Sequence, residues 1–197
     1  ETNIISENPY VHTKQGTVGI PVPDTDVHIV DIKTGTKILG PGEIGELIAK
    51  GPQMMKSYWH NPEETNNTVR NGWIYTGDIA TMDENGYVTI LDRKKDLIIC
   101  SGFNVFPREI DEILYMHPKI KDACTIGVPD PKRGETVKAF VVVKDGAALT
   151  KEEVIEFCRE YLTPYKVPKL VEFIDDLPRT SVGKPMRKAL REYHEQN

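Results

Sequence analysis

Cysteine is scarce in this sequence: Cys100, Cys124 and Cys158 are three in number, far apart and set in apolar runs. That pattern argues against a disulfide framework and a cysteine zinc cluster; it fits buried free thiols in a reducing compartment, and hence a cytoplasmic protein. Long hydrophobic runs are missing as well. Stretches such as Leu97–Cys100 and Phe140–Val143 are only a few residues long, against the roughly 20 that a membrane span needs. The opening residues, "ETNIISENPY", lack the basic start and apolar stretch of a secretory signal. The histidines, at 12, 28, 60, 117 and 194, nowhere show a ligand spacing such as HxxxH, so they predict no metal. An excess of positive charge is also absent. The net charge is −5, and the Lys/Arg-rich stretch 184–191 lacks the interleaved aromatics of a single-strand nucleic-acid binder.

What remains is an ordinary globular composition, 39% hydrophobic and 28% charged over 197 residues, long enough to bury a core as one domain or two small ones. The charge is unevenly spread. Residues 1–92 carry 6 Lys and Arg against 13 Asp and Glu, while residues 93–197 carry 19 against 17. The change falls at "DRKKD", Asp92–Asp96, which suggests two units with different partners.

The two parts also differ in pattern. "DVHIVDI" (26–32), "GELIAKG" and "GYVTILD" read as short strands, separated by turns rich in Gly, Pro, Asp and Asn, which predicts a small antiparallel sheet or barrel. Beyond Asp92, "DLIICSG", "ACTIGV", "KAFVVVK" and "LVEFID" read as strands. "PREIDEILYMH" reads as a helix with Pro107 in its first turn and Ile110, Ile113 and Leu114 on one face. Thr150 and Glu153 form a capping box before "VIEFCREYL", and "PMRKALREYH" reads as a last helix with Pro185 at its start. The fold class expected is α+β: a small antiparallel β-subdomain over 1–92, then a compact α+β unit over 93–197, with a polar hinge near 93–96.

Three segments carry candidate chemistry. "PRTSVGK" resembles a phosphate loop but fails the GxxxxGK[ST] pattern, because Pro178 stands where the first glycine belongs and Pro185 where the hydroxyl belongs. Its small residues still allow a loop to deliver the Lys184 ammonium to an anionic centre. In "GWIYTGDIA", Asp78 follows a glycine at an apparent strand end, where a carboxylate can accept two hydroxyl hydrogen bonds. In "DRKKDLIICSGFNVFPREIDEIL", four charges sit between two apolar strands.

Together, and in this order, "YTGD", "DRKKDLIICSGFNVFPREID" and "PRTSVGK" resemble the ribose, hinge and catalytic-lysine motifs of the adenylate-forming superfamily, which includes acyl-CoA synthetases, luciferase-like enzymes and peptide-synthetase adenylation domains. "GTVGIPVPDTDVHIVD" and "GEIGELIAKGPQMMKSYWHNPEET" look like its stretches before the ribose motif, so the resemblance spans essentially the whole chain. It implies an enzyme that joins a carboxylate to AMP at the expense of ATP and then passes the acyl group to a thiol, usually of coenzyme A. It further implies that Asp78 binds the ribose hydroxyls, Arg93 helps hold the ribose, Lys95 is the pivot, and Lys184 spans the acyl carboxylate and the α-phosphate. Gly102, in "SGFN", matches a glycine near the face used for the thiol step. Where many relatives carry a thiolation lysine this sequence has Ile99, so none is assigned.

The family's metal motif commonly ends in Thr-Glu, which makes Glu1 a candidate magnesium ligand. The family's phosphate loop and most of an acyl pocket are not in the sequence. The expectation is therefore a C-terminal piece: the last subdomain of a large AMP-binding domain followed by a mobile lid, with the large domain as its missing partner and little or no turnover alone. The wording "YKVPKLVEFIDDLPRTSVGK" looks most like fatty acyl-CoA ligases, with an aryl or short-chain acid ligase next. The substrates expected are a fatty acid, ATP and coenzyme A, with no nucleic acid and no membrane span. A stand-alone nucleotide- or acyl-CoA-binding module is the rival of a different class.

Overall fold

The computed structural model describes residues 1–196, and the chain folds as two units, Glu1–Lys95 and Asp96–Asn197. In the first, the short strands β1 (Ser6–Glu7) and β2 (Ile20–Pro21) pair with each other. β3 (Asp26–Val30) and β4 (Gly45–Lys50) form an antiparallel pair, Asp26 opposite Lys50 and Val30 opposite Glu46. β3 stops two residues short of the stretch expected from sequence. Asp31 turns the chain instead, its carboxylate accepting from the Thr34 backbone N–H and hydroxyl, a local bond that competes with the sheet.

A helix that sequence reading did not place, α1 (Pro62–Thr68), follows. Its start is well specified: Asn61 Oδ1 accepts from the Glu64 N–H, Pro62 lies in the first turn, and Glu63 and Glu64 face the positive end of the dipole. Next come β5 (Val69–Arg70), the long β6 (Trp73–Met82) and β7 (Val88–Arg93). β4 lies along one edge of β6, and β5 and β7 share the other, all antiparallel. Val27, Ile29, Leu47, Ala49, Ala80 and Val88 build the core of this sheet, where each large aliphatic side chain contributes about 1.5–3 kcal/mol. A single 3-10 turn, Lys94–Asp96, ends β7.

The second unit begins with a hairpin of β8 (Ile98–Cys100) and β9 (Phe103–Val105). α2 (Pro107–Met116) leads to the long hairpin β10 (Ile120–Asp130) and β11 (Gly134–Val143). α3 (Lys151–Tyr161) carries the expected capping box and returns the chain to β12 (Leu170–Phe173), parallel to β11. α4 (Arg187–Gln196) closes the unit. The period of two along β11 splits its side chains between two cores. Val137, Ala139 and Val141 pack with α2 and α3 residues such as Ile110, Leu114, Val154 and Cys158. Phe140 and Val142 pack on the opposite side with Cys124, Ile126, Leu177 and Leu190. All three cysteines are buried free thiols, and burial pushes Cys158 up to about 11 and Cys124 to about 12. No helix among the described residues is long and apolar enough to cross a membrane.

Candidate functional site

The first unit holds a polar cleft of about 380 Å³, lined by Glu1, Tyr58, Thr76, Gly77, Arg93 and Lys95 among others. Its floor is an irregularity in the sheet. Between Glu46 and Ile48, β4 advances two residues while β6 advances four, from Ile79 to Tyr75. The surplus puts Thr76, Gly77 and Asp78 in a bulge, with Gly77 at φ +70, a conformation that glycine adopts without a steric penalty. Asp78 therefore lies inside a strand at a bulge and not at a strand end, as the sequence had suggested. The extra residues turn its side chain out of the regular alternation.

The Thr76 hydroxyl ties the bulge down. It donates to the Leu47 carbonyl at 2.8 Å and accepts from the Asp78 N–H at 3.1 Å. Arg93, directly opposite Asp78 in the ladder, places its Nε 2.9 Å from Asp78 Oδ1 and donates to the Thr76 carbonyl. Burial raises the Asp78 pKa above the usual carboxylate range; Arg93 opposes that shift and the nearby Glu1 carboxylate adds to it. The result is a partly dry carboxylate with acceptor capacity beyond its ion pair, suited to hydroxyl donors.

Beside it, both lysines of the turn line the cleft; Lys94 reaches back to the buried Glu46, Nζ to Oε2 2.6 Å, while Lys95 has no ion-pair partner among the described residues. Glu1 is bonded to the Tyr58 hydroxyl, and its carbonyl accepts from the Met55 N–H at 2.8 Å. Among the described residues no three acidic, His or Cys side chains converge as a metal site. Glu1 is thus one carboxylate, which fits a magnesium ion that takes its other oxygens from phosphates and water.

The remaining two candidates lie in the second unit, on separate elements. Gly102 forms the β8–β9 turn with Ser101, at φ +84 and +53. Two positive φ values are what a two-residue hairpin of this twist demands, so the local fold itself accounts for the glycine. Lys184 stands at the foot of a hairpin that includes an isolated bridge between Arg179 and Pro185. The Thr180 N–H donates to the Lys184 carbonyl at 2.8 Å, the Gly183 N–H to the Thr180 carbonyl at 2.9 Å, and the Met186 N–H to the Pro178 carbonyl at 2.8 Å. The Lys184 N–H donates to Thr180 Oγ1 at 3.1 Å. Pro185 is consequently part of this hairpin and not of the helix, which starts two residues later than expected. The Lys184 side chain is exposed, with no ion-pair partner among the described residues.

Sequence reasoning missed the supports of this loop. Arg179 donates to the Gly183 carbonyl at 2.5 Å and forms an ion pair with Asp122; Asp122 accepts from the Tyr115 hydroxyl at 2.7 Å and the Ala123 N–H at 2.9 Å. A second network fixes α4. Arg187 pairs with Asp111, Arg191 with Asp96, and Asp111 also accepts from the Thr125 N–H. Burial pushes Asp111 up to about 6, against the pull of Arg187.

Comparison with known proteins gives a consistent picture. Two family models match, "AMP-binding enzyme" over residues 1–59 and "AMP-binding enzyme C-terminal domain" over residues 109–184. A long-chain-fatty-acid–CoA ligase of Bacillus subtilis is 52% identical over 184 residues, 93% of this chain and 33% of the relative. One of Escherichia coli is 49% identical over 190 residues, 96% of this chain and 33% of the relative. The crystal structure of ATP-bound MatB from Rhodopseudomonas palustris superposes with a TM-score of 0.91 at 41% identity, covering 99% of this chain and 39% of that one. The chain thus spans about a third of the length of the curated relatives it matches.

Proposed function

This chain belongs to the adenylate-forming superfamily of AMP-binding enzymes, and from that premise we propose that it is part of an ATP-dependent acyl-CoA ligase acting on fatty acids. The observation that carries this reading is the identity of about half with long-chain-fatty-acid–CoA ligases, which runs through both units. In the first half-reaction the acid's carboxylate oxygen attacks the α-phosphorus of ATP, the bond to the β-phosphate oxygen breaks, and pyrophosphate leaves with the electron pair. In the second, the coenzyme A thiolate attacks the acyl carbon and AMP leaves.

The residues divide this work. Asp78 accepts from the ribose hydroxyls at the β6 bulge, and Arg93 both orients that carboxylate and offsets its burial. Lys184 lies between two anions that would otherwise repel, the acyl carboxylate and the α-phosphate, and a compact ammonium on a long stem suits that position. Lys95 is the pivot on which the second unit, from Asp96 onward, turns as a lid between half-reactions, against a large domain to which the first unit belongs. Arg93, in β7 opposite Asp78, stays with the first unit, so the boundary lies three residues beyond the Asp92 expected from sequence. Gly102 keeps the β8–β9 turn free of a side chain for passage of coenzyme A. Magnesium would be held by Glu1 together with phosphate oxygens, supplying positive charge to the phosphate chain.

The test is Lys184→Ala in the full enzyme. The variant should lose adenylation, read as fatty-acid-dependent pyrophosphate release, and should keep thioester formation from supplied acyl-adenylate. Equal loss of both half-reactions would refute the assignment.

A further inference from the structure

We infer that Arg179, braced by Asp122, is a positioning residue that holds the Lys184 hairpin in its working geometry. The inference rests on the role given to Lys184 above.

The hairpin's two ends are anchored, by Leu177 in the core and by the start of α4, but its own hydrogen bonds close only its backbone and do not tie its tip to the rest of the unit. Lys184 itself has an exposed side chain and contributes nothing to anchoring. Arg179 ties the peptide next to Lys184 to the body of the unit. One arm of its guanidinium donates to the carbonyl of Gly183, the residue immediately before Lys184. The other pairs with Asp122 near the start of β10, a strand packed into the core of the unit. Asp122 is itself 7% exposed and is held by two further donors, the Tyr115 hydroxyl from α2 and the Ala123 N–H. The chain of contacts therefore runs from α2 and β10, through a planar fork that fixes two acceptors at once, to the peptide that sets the direction of the catalytic side chain. A lysine cannot duplicate this, because a point charge on a flexible stem engages one acceptor without fixing the other. Solvation alone does not account for Arg179, since its guanidinium is turned inward to a buried carboxylate.

The experiment uses the full enzyme with Arg179→Met, Arg179→Lys and, as reference, Lys184→Ala. Because misplacement of a reacting group by about 1 Å costs on the order of a hundredfold, Arg179→Met should lower kcat for adenylation by about that factor. KM for ATP and thioester formation from supplied acyl-adenylate should stay within about twofold, because the contact assigned to Lys184 is needed in the adenylation transition state and a group that acts there alone lowers kcat and leaves KM unchanged. Arg179→Lys should fall between Met and wild type. Hydrogen exchange supplies the structural readout: in Arg179→Met the Thr180 and Gly183 amides should exchange faster while those of β10 and β11 stay protected. Unchanged adenylation, or equal loss of both half-reactions with β10 still protected, overturns the inference. Selective loss in Lys184→Ala alone would sink the brace and leave the function standing. If Lys184→Ala shows no selectivity, the functional reading itself falls.

Discussion

Replacing Thr76 by valine keeps the side chain's shape and removes only its hydroxyl. In the structure that hydroxyl makes two bonds across the β6 bulge, to the Leu47 carbonyl and from the Asp78 N–H. Two neutral hydrogen bonds, with a partly buried amide left unpaired, correspond to about 2 kcal/mol. For a unit of this size each kcal/mol moves Tm by about 4–8 °C, so the first unit should melt roughly 8–16 °C lower. The same substitution five residues along the strand, Thr81→Val, has the opposite expectation. Thr81 Oγ1 is buried without a partner, and removing it should leave stability unchanged or raise it by up to about 1 kcal/mol. The readout is tryptophan fluorescence, because both tryptophans, Trp59 and Trp73, lie in the first unit. If the two variants melt within about 2 °C of each other, the bulge is not held by Thr76 and the argument for a sculpted ribose site fails.

Two further outcomes follow from the charges and the connection. The Asp111 carboxyl, raised by burial to about 6, keeps its proton in the folded state at pH values where the unfolded chain releases it. Its contribution to stability is therefore complete below about pH 4 and is lost as pH rises through 6; carboxyl NMR should show a titration midpoint near 6, and a midpoint near the ordinary value of 3.8 would refute the desolvation account. Lys95→Pro in the full enzyme should abolish one half-reaction and spare the other, because proline fixes φ at a position that must change it; survival of both would move the pivot elsewhere.

Much of this architecture was legible in the sequence because local chemistry and tertiary context agree. The Thr150–Glu153 capping box, the start of α2 at Pro107 and the alternation along β11 each follow from short-range rules that the packing then reinforces. The departures occur where distant partners win. Pro185 has the φ of a first helical residue, yet the Met186–Pro178 bond draws it into a hairpin. Asp78 looks like a strand end because glycine precedes it, yet β4 and β7 carry the ladder past it on both sides. Asp122 and Arg179 are 57 positions apart, and no periodicity or spacing joins them. The Lys94–Glu46 pair is equally remote, so the sequence offered no means of telling which lysine of "RKK" is committed to the fold.

Burial of every thiol also makes the chain a ready substrate for site-directed labelling. Cys100, Cys124 and Cys158 are buried in the second unit, while Ser181 and Val182 are exposed at the tip of the Lys184 hairpin. A maleimide dye added to a Ser181→Cys variant should therefore mark one place on the folded molecule. That reporter would ride three residues from Lys184 and register the arrival and departure of the ammonium within a single catalytic cycle.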